Sequence, residues 1–258
     1  MTQDEEFKLI EETLLQNDNV CLLAKDKEGH HMLEKIITSF TEEKRKYIFN
    51  NIIENFKELA TDKQGLCVLK KLIEFTKDPI SQKAIISKIL ENALEYVQNA
   101  FGNFVVSEVL NQFKYETCSE IFTSIKGHYV QLSQNKFSSK FIEVCIDKAP
   151  KKVQHEIIRE FCDSKMLSKV VNSNFGNFVL QNSLKTYCKS EEQRNLLIER
   201  IIQSLKEVQD YKVQVKWGED ILHSFVEKVN NQDSYDHLSQ LLSDEMDAIN
   251  EKYQQFKQ

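Results

Sequence analysis

The sequence predicts an all-α protein folded as a curved α-solenoid. Three observations carry that prediction: a composition poor in helix breakers, a phrase that recurs at near-constant spacing, and an amphipathic stretch before each recurrence. The 258 residues include only two prolines and six glycines, with Leu, Ile, Glu, Lys and Gln abundant. Such a composition favours helix almost throughout. The length suits one elongated or two compact domains with a sizeable core. Net charge is −6, so no global basic field gathers nucleic acid, and any such binding must come from a local surface.

The recurring phrase is clearest in NAFGNFVVSEVLN (99–111) and NSNFGNFVLQNSLK (172–185). Aligned on glycine, four more stretches join them: AKDKEGHHMLEKII (24–37), ATDKQGLCVLKKLI (60–73), SQNKFSSKFIEVCI (133–146) and VQVKWGEDILHSFV (213–226). The shared template is a polar turn, Gly (once Ser138), two variable residues, two apolar residues, one variable residue, then more apolar ones. The residue after the glycine falls at 30, 66, 103, 139, 177 and 219, giving steps of 36, 37, 36, 38 and 42. Near-equal steps of one supersecondary unit mark a solenoid.

Each phrase is preceded by an amphipathic run, such as RKYIFNNIIENFKELA (45–60) or QKAIISKILENALEYV (82–97), apolar at i, i+3, i+4 and i+7. Each unit therefore reads as helix, short turn, helix, with glycine placed to let the backbone turn sharply. Neither helix buries its stripe alone, so stacked neighbours form one continuous core. The units are 4–40, 41–77, 78–113, 114–150 and 151–188, closed by a carboxyl-terminal cap at 189–258.

The six cysteines (Cys21, Cys67, Cys118, Cys145, Cys162, Cys188) form no CxxC pair and sit among apolar residues, which suits small buried hydrophobes in a reducing compartment. The start, MTQDEEFKLIEE, lacks the apolar region of a secretory signal, and no apolar run is of bilayer length. An intracellular soluble protein is expected. No P-loop, Ser/His/Asp constellation or paired catalytic carboxylates stands out, so no enzyme is expected. Neither a cofactor nor a metal is expected. His30 and His31 diverge as adjacent helical residues, and no third ligand stands near them in sequence.

Unit length alone does not separate this repeat from TPR, HEAT or armadillo. The second helix does. In GNFVVS, SSKFIE and GNFVLQ the first and fifth residues after Gly or Ser lie four apart, on one helical face. These phrases resemble the repeats of the Pumilio (PUF) family of single-stranded RNA-binding proteins, over nearly the whole chain and most strongly across 99–185. The resemblance implies a right-handed crescent in which each repeat reads one base, with two side chains at its edge and one stacked on its face.

On that resemblance the edge residues are Asn177 and Gln181, which suit uracil, Ser139 and Glu143, which suit guanine, and Asn103 with Ser107, which suit uracil with one contact weakened. The stacking residues are Phe178, Lys140 and Phe104. The family binds RNA antiparallel, so the fifth, fourth and third units read 5′-U-G-U. The first two units fit less well. His30 and Glu34 stand at edge positions with His31 stacking, and Lys70 at an edge position with Cys67 stacking, while Leu66 offers no hydrogen bond. Loose readout is expected 3′ of the triplet.

Glu219, Asp220 and His223 in the sixth unit resemble the family's capping half-repeat and are assigned no base. Trp217 reads as core. Lys35, Lys70, Lys71, Lys140 and Lys148 form either a basic stripe or a solvated face. Asn103 and Asn177 also suit helix caps, and Phe104 and Phe178 core positions. That reading does not explain why Ser139 and Glu143 occupy the same two places between them.

The resemblance implies a monomeric cytoplasmic protein that binds UGU-containing single-stranded RNA, in mRNA 3′ untranslated regions, for post-transcriptional repression. Decay or deadenylation partners would dock on the outer face or at the 186–193 connection. Two alternatives stay open: a nucleolar relative in ribosome assembly that binds structured RNA without a base code, and a protein-binding scaffold. Family members usually carry eight repeats, and Met1 is read as favouring a compact member over a fragment.

Overall fold

The computed structural model describes residues 3–13, 19–163, 166–187 and 200–201. Among these, every regular element is a helix. The first part of the chain holds α1 (Gln3–Thr13), α2 (Asn19–Lys25), α3 (Gly29–Ser39), α4 (Glu42–Glu54), α5 (Phe56–Ala60), α6 (Lys63–Phe75), α7 (Pro79–Leu90), α8 (Ala93–Gln98), α9 (Gly102–Gln112) and α10 (Tyr115–Ser124). It continues with α11 (Tyr129–Ser133), α12 (Ser138–Lys148), α13 (Lys151–Asp163), α14 (Leu167–Val171) and α15 (Gly176–Tyr187). The chain divides into two compact units, Met1–Ile125 and Lys126–Gln258. The sixth phrase, with Trp217, Glu219, Asp220 and His223, lies outside the described residues, as does Cys188.

The repeat has three helices rather than the two expected from the amphipathic runs. The run 45–60 is split into α4 and α5 at Asn55, whose backbone sits at φ −99°, ψ 19°. The Asn55 side-chain amide donates to the Asn51 carbonyl at 3.0 Å. An asparagine that bonds nearby backbone competes with helix continuation. The run 82–97 breaks in the same place, at Asn92 with φ −146°, ψ 38°. In the second unit Gly127, at φ 83°, turns the chain into α11, and the Glu160 carboxylate accepts from the backbone N–H groups of Gly127 (2.9 Å) and Val130 (3.2 Å).

Within the first unit α3, α6 and α9 pack side by side in chain order, each short helix lies against the next long one, and α4, α7 and α10 form the other layer. The second unit packs α12 on α15, with α11 and α14 against them. The core is the repeated apolar quartet: Val68, Leu69, Leu72 and Ile73 in α6, Val105, Val106, Val109 and Leu110 in α9, and Phe141, Ile142, Cys145 and Ile146 in α12, all buried. Each such side chain contributes roughly 1.5–3 kcal/mol by burial. Cys21, Cys118, Cys145 and Cys162 are buried and in no disulfide, as their apolar neighbourhoods predict, and burial pushes the Cys118 thiol up to about 11. Between repeats, Lys25 pairs with Glu58 and Lys57 with Glu95, stitching α2, α5 and α8 in series.

Candidate nucleic-acid interface

Five times the helix that carries the candidate reading residues starts in one way. The side chain of Asp26, Asp62, Asn99, Asn135 or Ser173 accepts from the backbone N–H groups two and three residues on. For Asp62 these are Gln64 (2.9 Å) and Gly65 (2.8 Å), and for Asn135 they are Phe137 (2.9 Å) and Ser138 (3.2 Å). Asp26, Asn99 and Ser173 do the same. This satisfies two of the orphan donors of a helix start. The sequence shows only a polar turn here; the signal is an Asp, Asn or Ser three residues before each aligned Gly or Ser.

The recurring glycine is not there for a special turn. Among the described glycines only Gly127 has positive φ. A Cβ on Gly29, Gly65, Gly102 or Gly176 would instead lie 2.6–2.7 Å from the carbonyl oxygen six residues back, that of Leu23, Leu59, Tyr96 or Val170. Glycine lets the reading helix press its backbone against the preceding short helix. In the fourth repeat Ser138 stands there, fully buried, and its Oγ donates to the equivalent oxygen, that of Leu132, at 2.7 Å. One repeat thus replaces close contact by a hydrogen bond to the same atom.

That start sets the position of the next residues. The first edge position lies under the turn: Asn177 is 0% exposed, Asn103 2%, and Ser139 and His30 are also buried. The Asn177 amide donates to the Ser173 carbonyl at 2.7 Å, and the Asn103 amide donates to those of Asn99 (2.8 Å) and Ala100 (3.1 Å). Since the NH₂ end is held by backbone, the oxygen of each asparagine is the end left to accept. The next residue points to solvent: Phe104 is 46% exposed, Phe178 51%, and Lys140 and His31 are also exposed.

The second edge position is half-buried in four repeats and exposed at Lys70 in the second, and its partner differs from repeat to repeat. Gln181 donates to Asn177 Oδ1 at 3.3 Å, and Ser107 to the Asn103 carbonyl at 2.7 Å. Glu143 accepts from Lys140 at 2.9 Å, and Glu34 Oε2 stands 3.5 Å from His31 Nδ1. In the second repeat Lys70 reaches Glu108 of the third at 3.6 Å, while Leu66 is half-buried. Of the lysine stripe, Lys70, Lys71 and Lys140 are each paired with a glutamate, while Lys35 and Lys148 are exposed. Sequence reasoning missed Glu108, and also Asn182, whose amide joins the fifth repeat to Asp147 of the fourth at 3.1 Å.

The first two repeats bring together residues that the sequence keeps apart. One donor atom each of His30, Glu34 and Cys67 lies within 4.8 Å of the others. The third donor that the sequence lacked near His30 comes from the neighbouring repeat. Burial, then the Glu34 carboxylate, pushes the Cys67 thiol up, while Lys70 and Lys63 pull the other way.

A family model described as Pumilio-family RNA binding repeat matches residues 19–53, 55–90, 128–162 and 174–202, more than half of the chain. The chain is 34% identical over 183 residues to a Pumilio domain-containing protein of Schizosaccharomyces pombe, covering 71% of this chain and 26% of that protein. It is 33% identical over 184 residues to Pumilio homolog 12 of Arabidopsis thaliana, with 71% and 30% covered. It therefore spans about a quarter to a third of these relatives. Among solved structures it is similar to the Puf3 RNA binding domain bound to a Cox17 RNA 3′ UTR recognition sequence (TM-score 0.72, 17% identity, 91% of this chain and 65% of that one). It is also similar to PUF-8 in complex with PBE-RNA (TM-score 0.73, 22% identity, 85% and 64%). The fold is that of the Pumilio-repeat solenoid.

Proposed function

The chain belongs to the Pumilio family of RNA-binding repeat proteins, and from that premise we propose that it binds single-stranded RNA sequence-specifically around a 5′-U-G-U core. One observation carries the reading: three repeats in chain order bear the pairs Asn103/Ser107, Ser139/Glu143 and Asn177/Gln181, each beside an exposed Phe or Lys. With its amide held by Ser173, Asn177 offers Oδ1 to the N3–H of uracil, and Gln181 swings from Asn177 to donate to a uracil carbonyl. Glu143, leaving Lys140, accepts the two adjacent donors of guanine's Watson–Crick edge. Phe178 and Phe104 stack on bases for about 1–3 kcal/mol each.

Every edge contact therefore exchanges one hydrogen bond for another, so its net gain is modest, about 0.5–1.5 kcal/mol for a neutral pair. Affinity rests mainly on stacking, and selectivity on matching the exchanged bonds. The paired lysines and the net charge of −6 give a shallow dependence on salt. The proposed setting is the 3′ untranslated region of cytoplasmic mRNAs, where the bound protein represses by recruiting decay partners and catalyses nothing itself. The outer face and the 186–193 connection are the proposed docking places.

The double change Ser139→Asn with Glu143→Gln tests this, because it converts the fourth repeat's pair to that of the fifth. Selection from a random RNA pool should shift from U-G-U to U-U-U. Unchanged preference refutes the code, and better binding to duplex than to UGU single strands favours the structured-RNA reading. A pool from which nothing is enriched favours a protein scaffold.

A further inference from the structure

We infer that His30, Glu34 and Cys67 form a binding site for one divalent zinc-like ion, clamped between α3 and α6 where the base code lapses. His30 and Glu34 are four residues apart and share a face of α3, and Cys67 reaches them from α6. Their donor atoms lie within 4.8 Å of one another. A tetrahedral zinc with bonds of about 2.0–2.3 Å holds its ligands about 3.3–3.8 Å apart. Closing the remaining ångström takes side-chain torsion in Glu34 and Cys67, both only half-buried.

The chemistry of the three donors agrees. His30 Nδ1 lies 2.9 Å from the Asp26 carbonyl. Donation there leaves the lone pair on Nε2, the second-sphere arrangement that orients metal-binding histidines. Asp26 is in turn fixed by its carboxylate at the helix start. An N, O and S donor set suits zinc and excludes magnesium or calcium, which take oxygen ligands. Binding expels the Cys67 proton to solvent. The neutral imidazole, carboxylate and thiolate then balance the ion's two charges, and a water completes the tetrahedron.

The second repeat is also the one whose base-reading set is weakest. Leu66 has no edge hydrogen bond, and Lys70 is drawn away to Glu108. The ion would tie the first repeat to the second without any RNA, so the site stands or falls apart from the U-G-U reading.

Cobalt(II) is the probe, added to the full chain under a metal-free phosphine reductant and followed by absorption, with zinc as competitor. The expected result is a thiolate-to-cobalt charge-transfer band that saturates at one equivalent, is bleached by zinc, and is absent in Cys67→Ser. Glu34→Gln should keep the band but weaken binding by more than about 10-fold, as loss of even an outer-sphere partner costs 10- to 100-fold. Circular dichroism establishes that each variant folds; Glu34→Gln, at a half-buried side chain, keeps the test open should Cys67→Ser unfold. No band in the wild type, a band that persists in Cys67→Ser, or unchanged affinity in folded Glu34→Gln overturns the site.

Discussion

Gly65→Ala sets helix propensity against packing, and the two disagree in sign. In a helix interior alanine is favoured over glycine by about 0.8–1.0 kcal/mol. A Cβ at 65, however, meets Leu59 O at 2.6 Å, Leu59 Cα at 2.8 Å and the Leu59 carbonyl carbon at 3.1 Å. All three are backbone atoms, so no rotamer change relieves them, and α6 must separate from α5. Overpacking of this kind costs about 1–3 kcal/mol, and backbone-only contacts this short place it in the upper half of that range. The net expectation is a loss of about 1–2 kcal/mol. In a chain of this size each kcal/mol moves Tm by about 2–4 °C, so thermal unfolding followed by circular dichroism should show a fall of about 2–8 °C. A raised Tm would mean that propensity wins, and it would refute close approach as the reason for glycine at all four positions.

Phe178→Ala should leave Tm nearly unchanged, since its ring is 51% exposed, yet weaken binding to a UGU oligonucleotide by about 5- to 150-fold, the equivalent of one stacked base; equal fluorescence-anisotropy curves for the two proteins would remove Phe178 from the interface. Asp26→Asn separates capping from charge. The Gly29 N–H and then the Glu28 N–H hold the Asp26 carboxyl below its ordinary value. A carboxyl depressed on folding adds stability that is complete above its unfolded pKa, about 3.9, and fades as pH falls through the folded one. Asparagine keeps the acceptor oxygen, as Asn99 and Asn135 do, and does not titrate. The stability difference between wild type and variant should therefore move in the variant's favour as pH drops from about 5 to below 3.9; a difference independent of pH across that range sinks the assignment.

The candidate reading residues were legible because their spacing is set by one helix. Residues one and five after the glycine share a face whatever the rest of the chain does. The third helix of the repeat was not legible, because Asn55 and Asn92 interrupt runs whose apolar period continues across the break. Exposure was not legible either. The sequence marks Asn177 and Phe178 alike as variable positions, and only the turn held by Ser173 puts the first under the helix and the second into solvent.

By itself the sequence determined the helical class, the period and the family, since these depend on local periodicity and on short phrases repeated along the chain. Tertiary structure decided what the period leaves open. The glycine answers to a carbonyl six residues back, and its serine substitute bonds the same atom. His30 and Glu34 acquire Cys67 from the next repeat. The physical reasons are two: the glycine's neighbour is set by how a short helix packs on the next long helix of the same repeat, whereas Cys67 arrives because stacking equal units brings positions about 36 residues apart in sequence together.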